Sequence, residues 1–483
     1  MPGVGIWITD KEGRKEKIER DREREREMHR LRASLLSSEN VDKPAGFRGV
    51  LNLVILLLVL THVRLIIVNA RKYGVLVDPR LMTGLLGSGD WYEWPATALL
   101  IGCQFNILIA FLIERAASSK SFTRCSDRFV LLANLLNIST SLLVSVIWIY
   151  FNSEHGSLNP AQGILTLLTT LVICMKLTSY SLTNMELRRS FRKGIDAPVE
   201  CLGIDIEAER KKNEDLKILS YPNNLTITNL YSFIMFPTLV YCLQYPRTKR
   251  IRKGWLLRRC LELVSISIIV VSMSQQWVLP TVRNAKFDQL DIVHMAERVL
   301  KLAIPNMYVW LLGFYAFFHL YLNILAELTF FGDRLFCTFS LSLSPHFHFF
   351  HTSYICIYIP LYTDKDWWNS RSLDYFWSHW NLPVHHFMKR HVYVPLRKKK
   401  WSSVSAVLLI FFISGIGHEI VLSVPFGSVK LWAVFGMMAQ APLCALTRRS
   451  IFRSTQFGNI VFWLSIILGQ PTLVLFYYYE YTH

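Results

Sequence analysis

The stretch Val404-Ser-Ala-Val-Leu-Leu-Ile-Phe-Phe-Ile-Ser-Gly-Ile-Gly-His418-Glu419-Ile-Val-Leu-Ser-Val-Pro-Phe426 decides the fold. Its length and apolar content match the roughly 20 residues that carry a helix across a bilayer. Two ionisable side chains, His418 and Glu419, sit inside it. Such groups are costly at that depth and tend to line a polar cavity or a reaction site. The bland alternative for His418 is a structural histidine bonded to a neighbouring helix.

The same reading, carried outward, finds further apolar runs at 47–70, 96–113, 129–151, 162–180, 256–279, 304–330, 431–447 and 459–479. With 404–424 they predict nine membrane-spanning helices, 96–113 and 431–447 being the shortest. The run 230–243 is short and holds Pro237, and reads as interfacial. Nine spans put 41 of the 53 Lys and Arg on one side, 8 on the other and 4 within spans. Cytoplasmic loops carry such an excess, so the N-terminus is expected in the cytosol and the C-terminus in the lumen. Polar loops and the N-terminal tail dilute the apolar content, so mean hydropathy is only +0.29.

The net charge of +18 follows from this topology, and nucleic acid is not expected as a partner. Membrane lipid and phosphate-bearing molecules fit better. The nine cysteines show no paired C-x-x-C spacing, so neither a disulfide framework nor a metal site is read. Residues 1–45 are polar and densely charged, a disordered tail rather than a signal peptide. The first span must then direct insertion, and 46–483 reads as one membrane domain. Asn137-Ile-Ser139 and Asn224-Leu-Thr226 match a glycosylation sequon, but one falls in a span and the other on the cytosolic side.

Several motifs recur in order along the chain. They are Lys72-Tyr-Gly-Val-Leu-Val-Asp-Pro79, Ser220-Tyr-Pro-Asn-Asn-Leu-Thr226, Gln275-Gln-Trp-Val-Leu-Pro-Thr281 and Phe331-Gly-Asp-Arg334. Trp380-Asn-Leu-Pro-Val-His385, His418-Glu419, Gly436-Met-Met-Ala-Gln440 and Gly469-Gln-Pro471 follow. In these the chain resembles the membrane-bound O-acyltransferase superfamily. Within it, it is similar to the type-1 diacylglycerol O-acyltransferases, relatives of the sterol O-acyltransferases. The resemblance implies an all-α polytopic membrane protein of about nine helices around an intramembrane reaction chamber. It implies an endoplasmic-reticulum enzyme that moves an acyl group from acyl-CoA to 1,2-diacylglycerol and works as a homo-oligomer. Acyl-CoA is a substrate, so no cofactor is expected. His418 matches the family's catalytic histidine, and Asn381 its active-site asparagine.

The chemistry agrees. A neutral imidazole titrates near cytosolic pH and can take the proton of an attacking hydroxyl. The thioester is already activated, so neither a metal nor a covalent intermediate is required. Consecutive helical positions diverge by about 100°, so Glu419 lines the cavity or supports it rather than acting as a second base. Ser414 and Gly415 either leave room for substrate or let helices approach closely. Asn381 orients the imidazole, holds the thioester carbonyl or caps a loop. Gln440 and Gln470 line the same cavity or bond between helices, and Met437 and Met438 line an acyl or glyceride pocket. Asp366, Trp367, Trp368 and Asn369 build a cytosolic mouth. Trp380, His385, Lys389, Arg390, Tyr393 and the run Arg397–Lys400 can grip CoA; a basic run of this kind also serves simply as a topology signal.

One block departs from the family. Phe-Gly-Asp-Arg normally runs through x-Phe-Tyr-x into Asp-Trp-Trp-Asn. Here residues 337–364, rich in Phe, Ser, Leu and His, intervene after Phe336. Replacing these 28 residues by one tyrosine restores the motif. A Cys codon TGT splits before GT, and ACA-GAT splits after AG, so joining the ends gives TAT, a tyrosine codon. The block therefore reads as an in-frame retained intron, with a true loop insertion as the alternative. The competing functions are an acyltransferase for a sterol or long-chain alcohol and, more remotely, a transporter or scaffold. Against the last, no pair of broken half-helices in matching positions is visible.

Overall fold

The structure is a computed structural model. It describes residues 60, 63–77, 95–119, 127–154, 160–197, 201, 219–283, 292–334, 336, 367–453 and 457–482. The expectations for 1–45, for the block 337–364 and for Asp366 lie outside the described residues, as does most of the run 47–70. Two compact units divide at Gly74. The first contributes the helix 63–73, closed by Gly74 in the left-handed conformation (φ 72°), whose N–H donates to the Ala70 carbonyl at 2.9 Å.

The second unit opens with three long helices, α1 (Pro95–Ser118), α2 (Asp127–Glu154) and α3 (Pro160–Arg192), which pack on one another. The short α4 (Ile227–Met235) follows. Nine residues at about 1.5 Å each cannot cross a bilayer, and Pro237 stops the helix from continuing. Next come α5 (Lys253–Met273), a π-helical turn (Ser274–Val278) and α6 (Leu279–Arg283) without a break. Then α7 (Ile292–Phe314), a π segment (Tyr315–Tyr321) and α8 (Leu322–Leu328) form one path. The segment after Trp367 holds α9 (Leu373–His379), α10 (Leu382–Met388), a π turn (Lys389–Tyr393) and α11 (Val394–Lys398). The chain closes with α12 (Ser403–Ser423), α13 (Trp432–Thr447), α14 (Ser450–Arg453) and α15 (Phe457–Thr482). Among the described residues there is no strand, only an isolated antiparallel bridge between Arg247 and Phe331.

Among the described residues, six helices are long and apolar enough to cross a membrane: Thr97–Ser118, Asp127–Ser153, Pro160–Arg192, Val293–Leu328, Ser403–Phe426 and Phe457–Tyr478. Helix α13 is shorter. The path from Lys253 to Arg283 is continuous, but Lys253, Arg258, Arg259 and Glu262 hold its start away from pure apolar character. The chain is thus an all-α multi-pass membrane protein. The predicted count of nine rests on adding 47–70, 256–279 and 431–447 to these six.

Two cores differ in kind. The first packs Ile107, Phe111, Leu177, Tyr180, Phe233 and Tyr241 from α1, α3 and the α4 region. Buried polar groups run through it. Arg188 and Glu114 pair at 2.7 Å with almost no exposure, and Arg188 also meets Asp127. Lys176 donates to the carbonyls of Phe233, Ile234 and Phe236, closing the C-terminal end of α4. Both sequon asparagines are engaged: Asn137 donates to the Asn106 carbonyl, and Asn224 to Asn184 and Tyr241. The second core is aromatic. Phe314, Phe318, Phe331, Phe336, Trp367, Phe376, Phe411 and Phe462 are buried together.

Candidate active site

Helix α12 begins at Ser402, whose hydroxyl accepts from the Ser405 N–H and supplies a side-chain cap. The helix turns His418 and Glu419 to opposite surroundings. His418 is exposed and Glu419 buried. The Nδ1 of His418 lies 2.7 Å from the Ser414 carbonyl oxygen and 3.4 Å from the Ser414 hydroxyl. A carbonyl only accepts, so Nδ1 carries a proton, and in the neutral imidazole the lone pair is then on Nε2. The helix's own backbone thereby sets the tautomer that a general base needs.

Glu419 has a different task. Its Oε1 accepts from the Leu431 N–H at 2.9 Å, and its Oε2 from the Ala433 N–H at 3.0 Å and the Tyr477 hydroxyl at 2.7 Å. The first N–H groups of a helix have no partner within it. Leu431, at the N-cap of α13 and in the left-handed region (φ 62°), has no side-chain acceptor to offer. Glu419 supplies it from α12, and Tyr477 ties α15 to the same point. Both carboxyl oxygens are occupied by protein donors, an arrangement that fits the supporting one of the two readings of Glu419, as a cap on α13.

Gly415 lies one turn before Glu419 and is buried with it. A Cβ there would stand 3.1 Å from the Val434 Cα and 3.4 Å from the Met437 Cβ. Of the two readings of Gly415, close helix approach is the one the α12–α13 contact supports. Ser414 stays under the imidazole.

Asn381 is the N-cap of α10, and its Oδ1 accepts from the Val384 N–H at 3.2 Å. Among the described residues no hydrogen bond joins it to His418. Its neighbours form an aromatic wall. Trp380 stacks on Phe376 (centroids 5.6 Å), Trp310 (6.0 Å) and Phe314 (6.0 Å). Trp367 is buried among the same rings, while Trp368 is half-buried and Asn369 exposed. The carbonyl of Trp368 accepts from Asn459 at 2.9 Å, which pins the segment to α15. Met437 and Met438 border this cluster. The structure thus brings Trp367, Trp368, Trp380, Met437 and Met438 together. Gln470 accepts weakly from Asn306 at 3.4 Å, bridging α15 and α7, and Gln440 is half-buried on α13.

The basic segment is only partly available for an anion. Arg390 turns inward, donating to the Tyr241 carbonyl, the Thr183 hydroxyl and the Cys201 sulfur. His391 meets the Ser179 hydroxyl at 2.8 Å, and burial first, then Arg390, lowers its pKa to about 4. Burial, followed by His386, Lys389 and His379, does the same to His385, to about 4. Tyr393 meets the Ser403 hydroxyl at 3.1 Å. Arg397 to Lys400 are exposed.

Sequence reasoning missed Tyr477 and the Trp310–Phe314 part of the wall. Neither carried a local signal: Tyr477 sits in a run of aromatic residues, and Trp310 in an apolar span, where each reads as lipid-facing.

Comparison with known proteins agrees with this architecture. The model of the membrane-bound O-acyltransferase family matches residues 130–479, and the chain belongs to that family. Relatives named diacylglycerol O-acyltransferase 1 stand close to it. The Dictyostelium discoideum protein is 38% identical over 93% of this chain and 64% of its own length, so the chain spans just under two thirds of that relative. The Bos taurus protein is 37% identical and the Homo sapiens protein 36%, each over 94% of this chain and 84% of the relative.

Proposed function

We propose that this protein transfers an acyl group from acyl-CoA to 1,2-diacylglycerol, forming triacylglycerol and free CoA. The observation that carries the mechanism is the 2.7 Å bond from His418 Nδ1 to the Ser414 carbonyl, which puts the lone pair of the neutral imidazole on Nε2. Nε2 takes the proton of the glyceride hydroxyl as its oxygen attacks the thioester carbonyl. The tetrahedral intermediate collapses, the C–S bond breaks, and the thiolate leaves with the proton returned by the imidazolium. General-base help of this kind is worth roughly 10²–10⁴-fold. Exposure of His418 amid an apolar helix supports a chamber reaching it.

The aromatic wall around Trp367 and Trp380 supports a mouth for the thioester end of acyl-CoA, with Asn381 fixing the turn that places it. Nine spans, an endoplasmic-reticulum membrane, a cytosolic N-terminus, a lumenal C-terminus and homo-oligomerisation belong to the same reading. In it acyl-CoA is a substrate, and the transfer needs no cofactor. Phe336 and Trp367 flank the block 337–364, and both lodge in the one aromatic core. That supports a shorter chain, lacking the block, as the better-closed enzyme.

Membranes lacking triacylglycerol synthesis, supplied with the protein, labelled oleoyl-CoA and either diacylglycerol or cholesterol, test the reaction. Label in triacylglycerol is expected. Label in sterol ester alone would replace this acceptor with a sterol.

A further inference from the structure

A cavity of about 340 Å³ lies where the chain entering α5 meets the end of α8, lined by Thr248, Lys249, Arg250, Arg252, Glu327 and Arg334. Four of the six are cationic and one is a carboxyl group. Glu327 is fully occupied: it accepts from the Arg252 backbone N–H at 2.6 Å, from the Arg252 guanidinium at 2.9 Å and from Arg334 at 2.6 Å. It holds the two guanidinium groups in place and leaves Lys249 and Arg250 exposed at the rim. Two polar atoms have no protein partner although they are buried, Arg334 Nη2 and Thr248 Oγ1. Buried donors of this kind are rare without a ligand or water to meet them.

The walls are fixed in advance. The Trp255 ring carries Arg252 on its face at 4.7 Å and has Arg334 at 5.9 Å. The Thr248 N–H donates to the Phe330 carbonyl at 2.9 Å, and the Gly332 N–H to Pro246 at 2.8 Å. Gly332 is required there, because a Cβ would come within 2.9 Å of the Pro246 backbone. An anion arriving here meets donors that need little rearrangement, which is where binding gains most.

We propose that this cavity binds a phosphomonoester. Planar guanidinium groups suit phosphate oxygens, and a lysine and a hydroxyl complete a tetrahedral set. The volume is at the low end for ligand pockets. It holds a phosphate group with part of the sugar or glycerol attached to it, and its open side leaves room for the rest of the molecule. The site is separate from the Trp380–Lys400 segment, so it does not rest on the acyltransferase reading. It abuts the aromatic core through Phe331, and the Phe336 carbonyl accepts from the Leu382 N–H at 3.1 Å, beside Asn381. Occupancy is therefore placed to stiffen the Asn381 turn.

Two sources offer this chemistry, a soluble phosphorylated nucleoside and a lipid headgroup. The whole chain, reconstituted in phosphatidylcholine nanodiscs, is titrated with adenosine 3′,5′-bisphosphate. In parallel, native mass spectrometry counts retained phosphatidylinositol 4-phosphate. The variant is Lys249→Ala with Arg250→Ala, both exposed and outside the proposed catalytic groups. Wild type should bind at least one probe. The variant should bind it about tenfold or more weakly, the size expected for losing charge-assisted hydrogen bonds. Loss for the bisphosphate alone assigns a soluble ligand, and loss for the lipid alone a headgroup. No binding by wild type, or equal binding by the variant, overturns the proposal.

Discussion

His418 and Glu419 are consecutive on α12, yet one faces open space and the other is sealed among three donors. Helical geometry alone separates them by about 100°. What fills each side differs. On the Glu419 side, Gly415 lets α13 approach to contact distance, and the carboxyl group caps that helix. On the His418 side, the imidazole is exposed and bonds to its own helix, at the Ser414 carbonyl. Glu419 fixes the register of α12 and α13 on its side, and His418 lies on the face turned about 100° away.

His418→Ala should separate the two most sharply. Activity should fall about 10²–10⁴-fold, as removal of a general base does, while melting temperature and membrane abundance stay near wild type. Retention of more than a tenth of the activity would contradict the general-base reading. A large drop in abundance would instead make His418 a structural residue.

Glu419→Ala should show the reverse pattern. It strands the Leu431 N–H and the Tyr477 O–H in a buried place, at about 1–3 kcal/mol each before relaxation, and leaves the Ala433 N–H with the Tyr477 oxygen alone at 2.9 Å. The protein should melt well below wild type, and its activity loss should track the loss of folded material. Glu419→Gln, which keeps one acceptor, should recover part of the stability. If folded Glu419→Ala protein were inactive, the carboxyl group would belong to the chemistry after all.

Gly415→Val tests the packing beneath this contrast. A Cβ 3.1 Å from the Val434 Cα forces two backbones apart, and overpacking of this sort costs about 1–3 kcal/mol. The melting temperature should drop less than for Glu419→Ala. An unchanged value would show that α13 is free to shift.

How far the sequence foretold this depends on the kind of information involved. Span positions were legible because bilayer thickness imposes a length on apolar runs. The ordered motifs made the family legible, and the position of His418 with it. That Glu419 points away from His418 followed from helix pitch. Its partners did not, because Leu431, Ala433 and Tyr477 meet it only after three helices pack. The run 256–279 was read as a span, and a continuous helical path from Lys253 to Arg283 covers it, with Arg258, Arg259 and Glu262 near its start. Asn381 shows the limit on sites. Its type and place suggested both a cap and a substrate contact, and the cap is the one whose partner is a neighbouring N–H in the chain.

Acid should reveal a second contrast among histidines. His391 and His385 have pKa values lowered from 6.5 to about 4 in the fold, first by burial. The unfolded chain therefore binds more protons between these limits, and stability rises with pH there. Their contribution is fully present above about pH 6.5 and is lost as pH falls toward 4. Melting temperature of detergent-solubilised protein should decline over that window. His391→Gln should flatten the decline, and His385→Gln should flatten it too. A decline unchanged in both variants would place its cause elsewhere.

Ser414→Ala should have the smallest effect, and its smallness is informative. Two atoms of Ser414 approach His418 Nδ1, the carbonyl at 2.7 Å and the hydroxyl at 3.4 Å. Hydrogen bonds weaken steeply beyond ordinary distances, so the carbonyl sets the tautomer. The substitution removes only the hydroxyl and leaves the carbonyl on the same helix turn. A weak neutral hydrogen bond is worth about 0.5 kcal/mol net, so activity should fall about two- to threefold. The measurement is kcat with saturating acyl-CoA, compared with His418→Ala in the same membranes. A loss approaching that of His418→Ala would move control of the imidazole from the backbone to the serine side chain, and Ser414→Thr should then rescue it.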